Sequence, residues 1–381
     1  MMRHTLKTIG LALLASAAFI SCSQEVIPEI ETPDEKPIEN PIEKPSIRTI
    51  QIKADGQDTR PQIVGTSSLW TEGDRLMVYQ GYAPGKGEWF GNMKLSEEGT
   101  MKDGGRKMDF QVDFDYVDPE DAESNWTVND EEYKFSYRAV YPAENAEFYG
   151  FGYDGYLVVT LPEVQHPTRT SFDPKADILT SRPAFLMEQP DELSVAFKRQ
   201  TALGQMTLKG LPEGAEVCAV AFYPSKPLAR EFGANVISEE GDMWGEEISN
   251  MSIVMQMPGW EVPAAGASGT TEILTSFMTS PFSLSEGDGF AVQIITKEKV
   301  EDQDSGEQQE KLFGYVKEIA FEEGSGRELV FTAGDPTIFA VNMTGIEPVA
   351  EFPAFELTFD EDTEADFPHI NDENDPYIEI P

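Results

Sequence analysis

Lys134-Phe135-Ser136-Tyr137-Arg138-Ala139-Val140-Tyr141, stopped by Pro142, is the stretch on which the fold class turns. It is rich in aromatic and β-branched residues, too short for a stable helix, and closed by a residue that cannot donate into a ladder. The same reading applies to Tyr156-Leu157-Val158-Val159-Thr160-Leu161 and to Leu76-Met77-Val78-Tyr79. Ile50, Ile52 and Ala54 alternate with Gln51, Lys53 and Asp55, the period-2 pattern of a half-buried strand. Gly, Pro, Asn and Asp clusters separate these runs, and few stretches before residue 180 hold a helical period over about ten residues. Short strands divided by turn signals predict an all-β sandwich or barrel.

A second block follows from about Ala184. Leu193 to Phe197, Leu203 to Leu208 and Val217 to Phe222 read as strands, the last two joined by a turn at Gly210-Leu211-Pro212-Glu213-Gly214. Ile248 to Met255, Ile273 to Phe277, Phe290 to Ile295, Leu312 to Val316, Glu328 to Phe331 and Thr337 to Val341 continue the pattern. Val300 to Glu310 is polar and reads as a hairpin loop. A chain of 381 residues, less its leader, fits two domains of about 150 residues each. The expected division is 47–182 and 183–346.

The first residues read as an export signal. Arg3, His4 and Lys7 precede an apolar run from Ile9 to Ile20, shorter than the about 20 residues that span a bilayer. The run ends in Ala18-Phe19-Ile20-Ser21-Cys22, which resembles a bacterial lipoprotein signal over residues 1–21. That resemblance implies acylation of Cys22; an ordinary cleaved signal with an incidental Cys is the alternative. Several acyl chains anchor a protein firmly where one binds marginally. Ser23 and Gln24 follow the Cys, so retention at an inner membrane is not indicated, and an outer-membrane, cell-surface location is expected. Residues 22–46 form an acidic tether with Pro33, Pro37, Pro41 and Pro45, a spacing that favours extended, polyproline-like chain.

The net charge of −41 opposes nucleic-acid binding, which rests on Lys and Arg neutralising phosphates. Removing residues 1–21 takes two basic residues and no acidic one, so the imbalance deepens. If Cys22 is acylated, Cys218 has no internal partner, and its strand-like setting predicts a buried, inert thiol. No Cys/His spacing suits zinc, and beyond the leader only His166 and His369 remain. No nucleophile elbow or phosphate loop stands out, so neither an enzyme nor a cofactor is expected.

Thr59-Arg60, Leu69-Trp70-Thr71-Glu72-Gly73-Asp74-Arg75-Leu76-Met77-Val78-Tyr79, Tyr137 to Pro142 and Lys175-Ala176-Asp177-Ile178-Leu179 resemble the N-terminal signature of fimbrillin-family lipoproteins, subunits of type V pili. Phe197-Lys198-Arg199-Gln200-Thr201-Ala202 through Ala340-Val341-Asn342-Met343 resembles the family's C-terminal domain. The resemblance implies two transthyretin-like Greek-key β-sandwiches in a pilus subunit, tip or anchor protein that supports adhesion. It implies, as partners, other pilus subunits or further copies of the chain joined by strand exchange, with the outer membrane reached through the lipid. In stalk subunits of the family an Arg-specific protease removes an N-terminal strand, and a C-terminal strand of the next subunit fills the groove. Arg48 and Arg60 are the candidate processing residues; Pro61 disfavours cleavage after Arg60, and both are otherwise ordinary arginines.

From Glu351 to Pro381 there are 11 acidic residues and no Lys or Arg. Within this tail, 347–381, Phe355, Leu357 and Phe359 alternate with polar residues, as in a donor strand or an internal edge strand. A different function would be glycan binding at the cell surface through Trp89, Trp126, Trp244 and Trp260, which stand in or beside Gly-rich and polar stretches. Aromatic rings stack on sugar faces, but tryptophans also pack in cores. Trp70, inside the signature, is expected in the core.

Overall fold

A computed structural model describes residues 46–353, apart from 56–69, 86–87, 125, 129, 150–155, 236–243, 249–251, 268 and 302–306. Among these residues there is no α-helix; single 3-10 turns stand at Asp103–Gly105, Ala143–Asn145 and Pro174–Ala176.

The strands in chain order begin with β1 (Ile47–Asp55), β2 (Met77–Gly85), β3 (Glu88–Leu95), β4 (Thr100–Lys102) and β5 (Lys107–Asp115). A small hairpin of β6 (Trp126–Val128) and β7 (Glu131–Tyr133) precedes β8 (Phe135–Tyr141). Then come β9 (Ala146–Tyr149), β10 (Tyr156–Thr160), β11 (Val164–Gln165), β12 (Leu179–Ser181), β13 (Ala184–Leu186) and β14 (Glu192–Arg199). After them run β15 (Ala202–Lys209), β16 (Glu216–Pro224), β17 (Leu228–Asn235), β18 (Trp244–Ile248), β19 (Ile253–Glu261) and β20 (Glu272–Thr279). The last are β21 (Phe282–Leu284), β22 (Gly289–Glu301), β23 (Gln308–Ala320), β24 (Leu329–Phe331), β25 (Pro336–Asn342) and β26 (Ala350–Pro353).

Alternation explains the largest sheet. On β5, Met108, Phe110, Val112 and Phe114 are buried while Lys107, Asp113 and Asp115 face water. On β14, Leu193, Val195 and Phe197 point inward between exposed Glu192, Ser194, Ala196 and Lys198. Nine strands assemble in the order β3-β2-β8-β12-β14-β1-β5-β4, with β13 also on β8. β8 is buried at all seven positions because both of its faces are covered. Phe135, Tyr137, Ala139 and Tyr141 enter the core that holds Trp70, and Val140 on the other face joins the larger core.

The larger core lies among three further sheets. One runs β11-β19-β16-β22-β23-β26, one β20-β15-β25 and one β18-β17-β10-β9. Phe222 is its aromatic centre, with the rings of Phe277, Phe290, Phe331 and Phe339 between 5.2 and 6.1 Å away.

Three strand expectations change. Ile248 to Met255 is not one strand: Ile248 ends β18, which pairs with β17, and Ile253 opens β19, which pairs with β16. Val300 to Glu310 is not all loop, because the β22–β23 ladder continues to Glu301↔Gln308. Main-chain hydrogen bonds carry that ribbon past the core, where no apolar side chain is needed. Leu193 to Phe197, read as part of the second block, is β14 of the nine-stranded sheet; the chain changes sheets at Gln200-Thr201.

Candidate assembly surface

β1 is the N-terminal strand of the described chain, and it does not sit at an edge. It pairs antiparallel with β5 along its whole length, from Ile47↔Asp115 to Asp55↔Lys107. On its other side it pairs parallel with β14, from Gln51↔Glu192 to Asp55↔Ala196. Ile50, Ile52 and Ala54 are fully buried against Trp70, Phe110 and Phe197. Sequence neighbours reach such an interior slot only if the strand enters between two partners distant in the chain. Without β1, the facing ladders of β5 and β14 would stand as two open edges over an exposed core.

Arg48 stands in this strand. Its guanidinium donates from Nη2 to Gln189 O at 3.1 Å and from Nε to Pro190 O at 3.4 Å, and it pairs with Asp191 at 2.9 Å. The Arg48–Thr49 bond therefore lies inside a paired ladder, with Thr49 Oγ1 also donating to Asp113 at 2.6 Å. A protease that binds its substrate extended would have to peel the strand first. Arg60 and Cys22 lie outside the described residues.

The C-terminal end of the described chain forms another added strand. β26 pairs antiparallel with β23, from Ala350↔Gly314 to Pro353↔Lys311. β23 has 13 residues, so among the described residues β26 covers under a third of its outer edge. Phe355, Leu357 and Phe359 lie outside the described residues.

Trp70 belongs to the same core as Ile50, Ile52 and Ala54 of β1. The indole packs edge-on against Phe110 at 5.4 Å, Tyr141 at 5.3 Å and Phe197 at 5.7 Å. The next residues form a turn in which Asp74 accepts from Thr71 N at 2.7 Å and from Tyr141 Oη at 3.0 Å. Gly73 within it has φ +90°, a conformation that L side chains resist. A buried ion pair ties two further signature segments together. Arg199 reaches Asp177 through Nε–Oδ1 at 2.6 Å and Nη2–Oδ2 at 2.9 Å, with both side chains almost fully shielded. Its guanidinium also lies 5.9 Å over Phe172.

The four tryptophans considered for glycan contact stand on strands: Trp89 on β3, Trp126 on β6, Trp244 on β18 and Trp260 on β19. Trp260 is 6% exposed, belongs to the larger core and is roofed by Arg169 at 5.5 Å, so it is no open stacking platform. Cys218 is partly buried on β16, and burial, with Glu216 close by, pushes its thiol up to about 11. Such a thiol is protonated at neutral pH and a poor nucleophile. Among the described residues no three potential metal ligands come together. His369 lies outside the described residues.

No family model matches the chain, and no curated protein matches it. Several solved structures do. A protein provisionally described as a cell adhesion protein from Bacteroides uniformis has a TM-score of 0.42 at 12% identity, over 79% of this chain and 95% of its own. A second of that description, from Bacteroides ovatus, has a TM-score of 0.41 at 15% identity, over 82% of this chain and 100% of its own. A fimbrial assembly protein from Parabacteroides distasonis has a TM-score of 0.33 at 11% identity, over 79% and 93%.

Proposed function

We propose that this chain is a cell-surface protein of fimbrial or adhesion type that retains its first strand. The observation that carries this reading is the position of β1, an N-terminal strand inserted between β5 and β14 rather than added at an edge. A fold built around such a slot is suited to closing it with a strand from its own chain or from another, with main-chain bonds giving affinity and alternate side chains giving register.

In this reading the domains are two transthyretin-like Greek-key sandwiches, the first closed by β1 and ending with β14. Cys22 carries the lipid and residues 23–46 hold the domains off the outer membrane. Arg48, pinned by Gln189, Pro190 and Asp191, is not a processing site in the folded protein, and Pro61 protects Arg60. The slot stays filled, so the chain accepts no strand and stands at an end of an assembly. Its own segment after β26, with Phe355, Leu357 and Phe359, is the part offered to a neighbour.

The test is the mature form from native cells, characterised by mass spectrometry and by gels run with and without heating. A chain starting at acylated Cys22, labelled on intact cells and lacking a heat-labile ladder of its own copies, is expected. A start at Thr49 or Pro61 with such a ladder would make it a processed stalk subunit instead. Failure to label it on intact cells would remove the surface reading altogether.

A further inference from the structure

A cavity of about 370 Å³ opens where the Ala143–Asn145 turn, the end of β10, the residues around β11 and β17 converge. Most of the residues that line it are polar or charged, among them Glu144, Glu163, Lys175 and Arg230, while Pro162 and Val164 are apolar. Asn145, Thr160, His166 and Asp173 complete it.

The wall is braced from behind. Buried Asp173 accepts from His166 N at 2.8 Å and Lys175 N at 3.0 Å, which sets the curve of that loop. Asn145 Nδ2 donates to Lys175 O at 2.9 Å and joins two walls. Ser252 Oγ donates to Glu163 Oε1 at 2.7 Å, which orients that carboxylate and leaves its second oxygen to accept. The cations are different. Among the described residues, neither the Lys175 ammonium nor the Arg230 guanidinium has an acidic partner. The same lining holds the carboxylates of Glu144, Glu163 and Asp173, of which Asp173 is taken up by two backbone amides, so Lys175 and Arg230 are its groups for an acidic function and Glu144 and Glu163 its acceptors for hydroxyls.

From this we infer that the cavity binds an acidic sugar, its carboxylate held by Arg230 and Lys175 and its hydroxyls by Glu144, Glu163, Asn145 and Thr160. The volume falls at the lower end of ligand pockets, about 300–1,000 Å³, which suits one or two sugar units. An apolar ligand would leave the polar lining unpaired, at a cost for every buried group. A phosphate dianion would set two charges, where a carboxylate sets one, against Glu144, Glu163 and Asp173, and the cavity lacks the helix N-terminus that usually cradles phosphate. A planar guanidinium matches a single carboxylate in bidentate fashion. The inference stands apart from the strand-exchange reading, since it needs only the folded chain.

The experiment is calorimetry and ligand-observed NMR on the full chain. The probes are galacturonic acid, glucuronic acid and N-acetylneuraminic acid, with galactose and acetate as controls. Binding of at least one sugar acid is expected, with galactose and acetate each weaker by about tenfold or more, the loss of one good charged hydrogen-bonding group. Preference for the uronates would point to polysaccharide as the source, and preference for the neuraminate to glycoprotein. Arg230→Ala and Lys175→Ala should each abolish the preference for acid over galactose, and Glu163→Gln should weaken both while circular dichroism stays unchanged. Equal binding of acetate, no binding of any sugar acid, or unchanged binding by folded Arg230→Ala would overturn the assignment. A dipeptide bound more tightly than every sugar acid would do so as well.

Discussion

Arg199 is a residue whose cost is visible only when its partner is removed. Its charge is shielded from water and satisfied by the Asp177 carboxylate in a two-point contact. Asp177→Ala would leave a guanidinium buried without its anion, a loss of about 3–5 kcal/mol. The double change Asp177→Ala with Arg199→Met removes both charges and should recover most of that loss, as read from urea midpoints of the purified protein. No recovery would mean the pair sets backbone geometry rather than balancing charge. Trp70, Thr71, Gly73 and Asp74 work similarly as a set, in which each residue type is required by a contact: a ring to fill the core, a donor and an acceptor to close the turn, and a glycine where φ is positive.

At the scale of elements, β1 determines whether the first core exists. A chain beginning after Asp55 should fold poorly and show a solvent-exposed Trp70 by fluorescence. A synthetic peptide of residues 47–55 should restore the native signal, because both ladders and the seats of Ile50 and Ile52 are still present. The same peptide with Ile50→Asp and Ile52→Asp should fail, since charge cannot enter those seats unpaired. A truncated chain with native fluorescence would show that β5 and β14 close on each other without it. The alternation of Ile50, Ile52 and Ala54 made β1 recognisable as a strand. β5 alternates as plainly, but its charged outer face lowers its overall hydrophobicity and hides it among the polar stretches. Neither pattern announces that β1 lies between β5 and β14, because alternation specifies which face is buried and says nothing about which edges are joined.

Across the whole molecule, buried tyrosines link stability to pH. Burial pushes the hydroxyls of Tyr79, Tyr137 and Tyr223 well above the ordinary value near 10. In the unfolded chain these groups ionise near pH 10, while in the folded chain they stay neutral. Their contribution is therefore complete below about pH 10 and declines as pH rises further. Urea midpoints should fall steeply above that point, with tyrosinate absorbance from these residues appearing together with unfolding. Tyrosinate formed before any loss of structure would contradict the burial. The negative net charge adds repulsion that salt screens, so the part of the decline that salt leaves in place belongs to the tyrosines.

The sequence by itself determined the β-rich class and the approximate sites of most long strands, because side-chain periodicity and turn residues act locally. It also supplied the fimbrillin resemblance, carried by short motifs in order, and that resemblance implied the core position of Trp70. Only the tertiary structure decided that β14 belongs with the first core, that Trp260 is roofed rather than open, and that Arg48 is pinned inside a paired strand. It alone gathered Glu163, Lys175 and Arg230 around one cavity. Those outcomes depend on pairings between segments far apart in the chain, which local pattern does not encode and which are selected only when the buried faces close over one another.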